Sequence, residues 1–217
     1  MENPWSAEAW KASEHIYNEI LKLPFITELA AGTLSGERFT NYIKQDNLYI
    51  DEYSRVLAHI ASRLSEIDDV ATFLEFANDG VAMEKGLHAM YVSDAAPRKS
   101  PVCLLYTSLL KAQALEDVAV EAAAILPCFW IYQKVGEHIL SIASKEGNPY
   151  ADWINAYSNP AFDISTRRCI DVCDRLAAAA GEETRRRMTE IYVQCSRLEY
   201  MFWDSAYNFG DWKAEIL

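Results

Sequence analysis

Ile125-Leu126-Pro127-Cys128-Phe129-Trp130-Ile131-Tyr132 lies in the middle of what reads as one long apolar helix. Pro127 has no backbone N–H, so the carbonyl of Ala123 loses its helical partner and the ring pushes the chain off axis. Such a kink turns Cys128 toward a cavity. Tyr132 stands one turn on, at i+4, on the same face. A thiol beside a phenol is what a small nucleophilic site needs. The competing reading is a core helix with a buried, inert cysteine, since free cysteine is among the most buried residue types.

Outward from this segment, every stretch reads as helix. No run alternates apolar and polar residues over strand length, and no Asn-Gly or Asp-Gly turn joins two such runs. Breakers fall at Pro24, Gly32 to Gly36, Pro97 with Pro101, Gly147-Asn148-Pro149, Asn159-Pro160 and Gly181. The helices expected between them cover residues 6–22, with Ser6 as N-cap, and 36–64, opened by Ser35. Others cover 67–92, 100–116, 118–144, 150–158, 161–180 and 182–207. These eight helices predict an all-α bundle with apolar stripes buried between neighbours. Without a repeat period or a low-complexity linker, residues 1–217 are expected to form a single domain.

Composition narrows the function. The chain is 51% hydrophobic and 24% charged, an ordinary globular balance. Its net charge of −12 repels nucleic acid. The one basic cluster, Arg185-Arg186-Arg187, follows Glu182 and Glu183 and reads as a solvated face. No run approaches 18 uncharged apolar residues, so no membrane span is expected. Met1-Glu2-Asn3-Pro4-Trp5 lacks the basic and apolar regions of a signal peptide, so the cytoplasm is the expected compartment. Five cysteines, an odd count in that setting, argue for free thiols.

Polar residues stand where a core stripe would be apolar. Asp46, Tyr49 and Tyr53 fall at i, i+3 and i+7 on one helix face. A carboxylate flanked by aromatic rings suits a flat, amine-bearing heterocycle, and it equally suits a solvated acid beside core tyrosines. Glu199 and Trp203 are i, i+4 neighbours in a stretch rich in large apolar side chains. Desolvation there raises a carboxyl pKa toward the range of acid–base catalysis. A structural ion pair, for instance with Arg197, is the alternative. Cys169 and Cys173, at i, i+4, are too few for a zinc site and read as packed core thiols. The four histidines all lack a glutamate three residues upstream, which disfavours a di-iron bundle site. Glu84 and His88 share an i, i+4 face and either buttress the site or pair on the surface.

Three ordered segments resemble the TenA / thiaminase II family. They are Gln45-Asp46-x-x-Tyr49-x-x-x-Tyr53, Leu126-Pro127-Cys128-x-Trp130-x-Tyr132-x-x-x-Gly136, and Leu198-Glu199-x-x-Phe202-Trp203-Asp204-x-Ala206-Tyr207. Tyr106-Thr107 and Tyr150-x-x-Trp153-Ile154-x-x-Tyr157 add to them. The resemblance implies a haem-oxygenase-like fold, a homotetramer with no metal or organic cofactor, and hydrolysis of thiamine-related pyrimidines. The reaction would turn an aminomethyl-pyrimidine into the hydroxymethyl-pyrimidine, a salvage step, and cleave thiamine too. Cys128 resembles the family's nucleophile and Glu199 its acid–base group. Asp46 resembles the acceptor for the ring's amino group. Tyr49, Tyr106, Tyr132 and Tyr157 resemble the pocket wall, with Tyr53 at a more variable position. A non-catalytic binding protein for a pyrimidine or another flat heterocycle is the alternative on the same fold.

Overall fold

In the computed structural model the backbone is described for residues 4–90, 98–144 and 147–213, with side chains for these residues except 83–90. Nine α-helices and one 3-10 turn make up the described residues, with no strand among them. They are α1 (Trp5–Ile20), α2 (Pro24–Ala31), α3 (Gly36–Arg63), α4 (Ile67–Met90), α5 (Pro101–Ala112), α6 (Val118–Ile142), α7 (Ala151–Tyr157), α8 (Pro160–Ala179) and α9 (Glu182–Asn208). The all-α bundle is as expected; one helix more than expected is present.

The extra helix is α2. Pro24 is its first residue rather than a breaker, a position where the missing N–H costs nothing. Gly32 ends it in the left-handed conformation at φ 72°. The start of α1 also differs from expectation. Ser6 is not its N-cap; Pro4 precedes the helix and Ser6 lies within the first turn. The Ser6 N–H and hydroxyl both donate to the carboxylate of Asp174, at 2.8 Å each, so an acid on α8 meets a free donor of α1. Other starts carry local caps: Ser35, Ser100, Asp117 and Asn159 each accept from the following turn.

α6 is the axis of the bundle. It runs unbroken through Pro127 and packs against α9, α8, α7 and α2. It is long and apolar enough to cross a membrane by length and hydropathy, but 78% of its apolar 18-residue window is buried by the surrounding protein. Its buried Glu121 accepts from Arg63 of α3 and faces His59 at 2.8 Å. α3 and α9 lie to one side of α6, tied by Arg38 Nε to the Tyr207 carbonyl and Asn41 Nδ2 to the Ala206 carbonyl, both 3.0 Å. These contacts satisfy carbonyls at the end of α9 that no helical partner can reach.

The basic cluster of α9 is paired rather than gathered into an anion site. Arg185 faces Glu8, Arg186 pairs with Glu183 and Glu190, and Arg187 with Glu116. Trp5 is buried within the chain, with Nε1 donating to Thr189 at 3.0 Å, and Trp10 packs on Trp130.

Candidate active site

The face of α3 predicted from spacing is buried throughout. Asp46 is 3% exposed, and Tyr49 and Tyr53 are buried beside it. α6 brings Cys128 and Tyr132 against this face, while α7 supplies Tyr157. Asp46, Tyr53, Cys128, Tyr132 and Tyr157 open on one cavity of about 140 Å³. A cavity of about 150 Å³ accepts a benzene ring, so this one holds a single substituted six-membered ring. Cys128 is half-buried because its sulfur faces this space, whereas Cys103, Cys169, Cys173 and Cys195 are buried. Cys169 and Cys173 are core thiols, as expected.

Glu199, Tyr106 and Tyr49 pack beside these residues, with Glu199 close enough to act electrostatically on Cys128. Glu199 is 1% exposed and accepts from the Tyr106 hydroxyl at 2.6 Å. No ion pair with Arg197 is present among the described residues. Tyr49 is wedged between the rings of Tyr53 and Tyr106, with centroids at 5.4 and 4.9 Å. Its hydroxyl is buried and unpartnered among the described residues. Tyr53 donates to the Ile125 carbonyl at 2.8 Å, which fastens α3 to α6 two residues before Pro127. Tyr132 and Tyr157 pack ring on ring at 5.3 Å, and Trp203 supports Tyr132 from behind at 4.8 Å.

Burial sets the charge state. It pushes the Asp46 carboxyl up to about 7. Burial also pushes Glu199 up to about 8, against the Tyr106 hydrogen bond that lowers it, with the Asp46 charge adding to the rise. The Cys128 thiol is held well above its ordinary range by burial first and by the Glu199 charge second; the Tyr49 phenol opposes them. The resting site therefore holds a neutral thiol beside carboxyls that titrate near neutrality. Asp46 has no hydrogen bond or ion pair among the described residues, so its oxygens are available to a donor in the cavity. The donor set of thiol, carboxyls and phenols contains no group of three metal-binding side chains among the described residues.

Two features escape a reading of spacing alone. Phe76 and Asp79 of α4, with Phe162 and Ser165 of α8, complete the cavity. Phe76 and Asp79 stand at i, i+3 on one helix face, the signal that was available. The second is Gly136, within the Cys128 segment. A Cβ there would lie 2.5 Å from the Tyr157 carbonyl oxygen, so α6 and α7 approach this closely only with glycine. Gly136→Ala is expected to push α7 outward, lower stability by about 1–3 kcal/mol and raise KM through displacement of Tyr157. Thermal unfolding beside steady-state kinetics checks both. Glu84 and His88 lie outside the residues whose side chains are described.

Comparison with known proteins places this architecture. The chain is 34% identical over 215 residues to the thiamine biosynthesis multifunctional protein ThiED of Corynebacterium efficiens, covering 95% of this chain and 29% of that one. It thus spans less than a third of that relative's length. It is 31% identical over 199 residues to an aminopyrimidine aminohydrolase of Bacillus subtilis, covering 87% of this chain and 84% of that one. A TenA homologue from P. horikoshii OT3 superposes with a TM-score of 0.84 at 26% identity, covering 96% of this chain and all of the other. The bundle is thus the haem-oxygenase-like fold of TenA homologues. Residues 10–209, which include every residue of the cavity, match the TENA/THI-4/PQQC family, and the chain belongs to that family.

Proposed function

We propose that this chain is an aminopyrimidine aminohydrolase of the thiaminase II type, converting aminomethyl-aminopyrimidine to hydroxymethyl-pyrimidine and cleaving thiamine. The observation that carries the reading is that Cys128 and the unpartnered Asp46 open on one ring-sized cavity with phenol walls. The relatives named aminopyrimidine aminohydrolase support it.

In this reading the pyrimidine lies against Tyr132 and Tyr157, and Asp46 accepts from its amino group. Cys128 is neutral at rest, so its proton passes to Glu199 as the sulfur bonds to a ring carbon. Glu199 delivers a proton to a ring nitrogen, which makes the ring electrophilic and stores the electron pair of the broken double bond. That pair then expels the amine from the exocyclic methylene, or the thiazole when thiamine is bound. Water adds to the methylene carbon and gives its proton to Glu199. The C–S bond breaks last, restoring the ring and the thiol. Net, one water is consumed and one amine released. A carboxyl that titrates at about 8 is suited to accept and return these protons near neutral pH. Assembly as a homotetramer in the cytoplasm belongs to the same proposal.

The test is incubation of purified protein with aminomethyl-aminopyrimidine and, separately, with thiamine, following hydroxymethyl-pyrimidine by chromatography. Product from the aminopyrimidine at a catalytic rate is expected. Binding of either compound without product would make the chain a pyrimidine-binding protein instead.

A further inference from the structure

The cavity is uneven in polarity. Among its lining residues Asp46 is buried and Cys128 half-buried, Ile50, Phe76 and Phe129 are apolar and buried, and Asp79 of α4 is exposed, with Ser165 of α8 half-buried, so Asp79 marks the solvent side. Asp79 is exposed and has no hydrogen bond or ion pair among the described residues. The charges around it are matched to one another. Glu75, one turn earlier on α4, pairs with Arg168 at 2.8 Å, and the Arg168 guanidinium lies 5.5 Å from the Phe76 ring. Asp163 of α8 pairs with Arg167 at 2.8 Å. Among the described residues Asp79 therefore leaves one unmatched negative charge at the solvent side of the cavity, beside low-dielectric walls that focus its field inward.

At about 140 Å³ the cavity is filled by one substituted ring. With the ring on Asp46 and Cys128, whatever leaves the exocyclic methylene must exit through the open end. We propose that Asp79 is a specificity-determining residue that favours pyrimidines whose departing substituent is positively charged while bound and leaves as a neutral amine or thiazole. This rests on the function proposed above and adds the charge of the bound substituent as what is selected. An aliphatic amine is protonated near pH 7, and a thiazolium carries a fixed positive charge at that pH. The hydroxymethyl product is neutral. One carboxylate thus attracts both substrates and gives the product no such hold, so product competes less well than substrate for the site.

The test compares two ligands that differ only in this charge. Binding of the aminomethyl- and hydroxymethyl-pyrimidines is measured by calorimetry on a Cys128→Ser background, with Asp79 intact, as Asn and as Glu. Asp79→Asn is expected to weaken the amine about tenfold and leave the alcohol unchanged. Asp79→Glu should restore the preference. In the Cys128-intact enzyme, Asp79→Asn should raise KM for the amine with little change in kcat, and flatten the fall of kcat/KM with added salt. Equal weakening of both ligands, or no change in either, overturns the proposal. Because binding is read without turnover, a failure here is separate from a failure of the chain to hydrolyse either substrate.

Discussion

Cys128→Ser is expected to fold like the parent protein and lose at least about three orders of magnitude in turnover. The two side chains differ by one atom, and Cys128 is half-buried on a cavity rather than packed in the core. Serine is slightly smaller and fits the same contacts against the core, so the melting temperature should move little. The chemistry does change. Glu199, titrating at about 8, can draw a proton from a thiol that the site has raised above its ordinary range. A serine hydroxyl is far weaker as an acid, and its oxygen is a poorer nucleophile toward the ring. Affinity for hydroxymethyl-pyrimidine should persist, because Asp46 and the phenol walls are untouched. Initial rates, thermal unfolding and product calorimetry separate these effects. Wild-type turnover in the variant would mean that Cys128 lines the pocket without attacking the ring, and water would then have to add directly.

Much of this arrangement was readable along the chain. Helical spacing placed Asp46, Tyr49 and Tyr53 on one face, and one face is where they lie. Pro127 suggested that Cys128 is set apart from ordinary core thiols, and it is the cysteine that meets the cavity. What the sequence leaves open or places otherwise shares a cause: the deciding partner is distant in sequence. Ser6 looked like a cap because its residue type is right, while its true partner, Asp174, lies 168 residues away. Glu199 suggested an ion pair or a desolvated acid, and the choice was made by the Tyr106 hydroxyl, 93 residues away. Tyr53 gave no sign that its hydroxyl would reach the Ile125 carbonyl. α2 failed for a local reason. Proline both begins and breaks helices, and Gly32 in the left-handed conformation eight residues later resolves which. Asp79 carries only the i, i+3 spacing from Phe76, and that spacing does not say whether a cavity opens beneath the pair.

Glu199→Gln should move activity and stability in opposite directions, and the opposition is diagnostic. Loss of a positioned proton carrier should cost about 10²–10⁴ in kcat, since an amide can still accept from Tyr106 but cannot pass a proton to the ring. Stability depends on pH through the same group. A carboxyl whose pKa rises from 4.5 to about 8 on folding keeps a proton that the unfolded chain gives up between those values. Its contribution is complete below 4.5 and is lost as the pH climbs through 8, so the unliganded protein should weaken over this window. The loss is on the order of 5 kcal/mol, from about 1.4 kcal/mol per pH unit over the rise from 4.5 to about 8. Glutamine cannot ionise and escapes it. The variant should therefore melt roughly 10 °C above the parent at alkaline pH and close to it in acid. The slope that remains in the variant belongs to Asp46, raised from 3.8 to about 7, and should level off near 7. Unfolding curves from acid to alkaline pH, beside the kcat profile, test both arms. A slow variant with the parent's full pH slope would show that Glu199 is charged throughout, and the proton carrier would have to be Asp46.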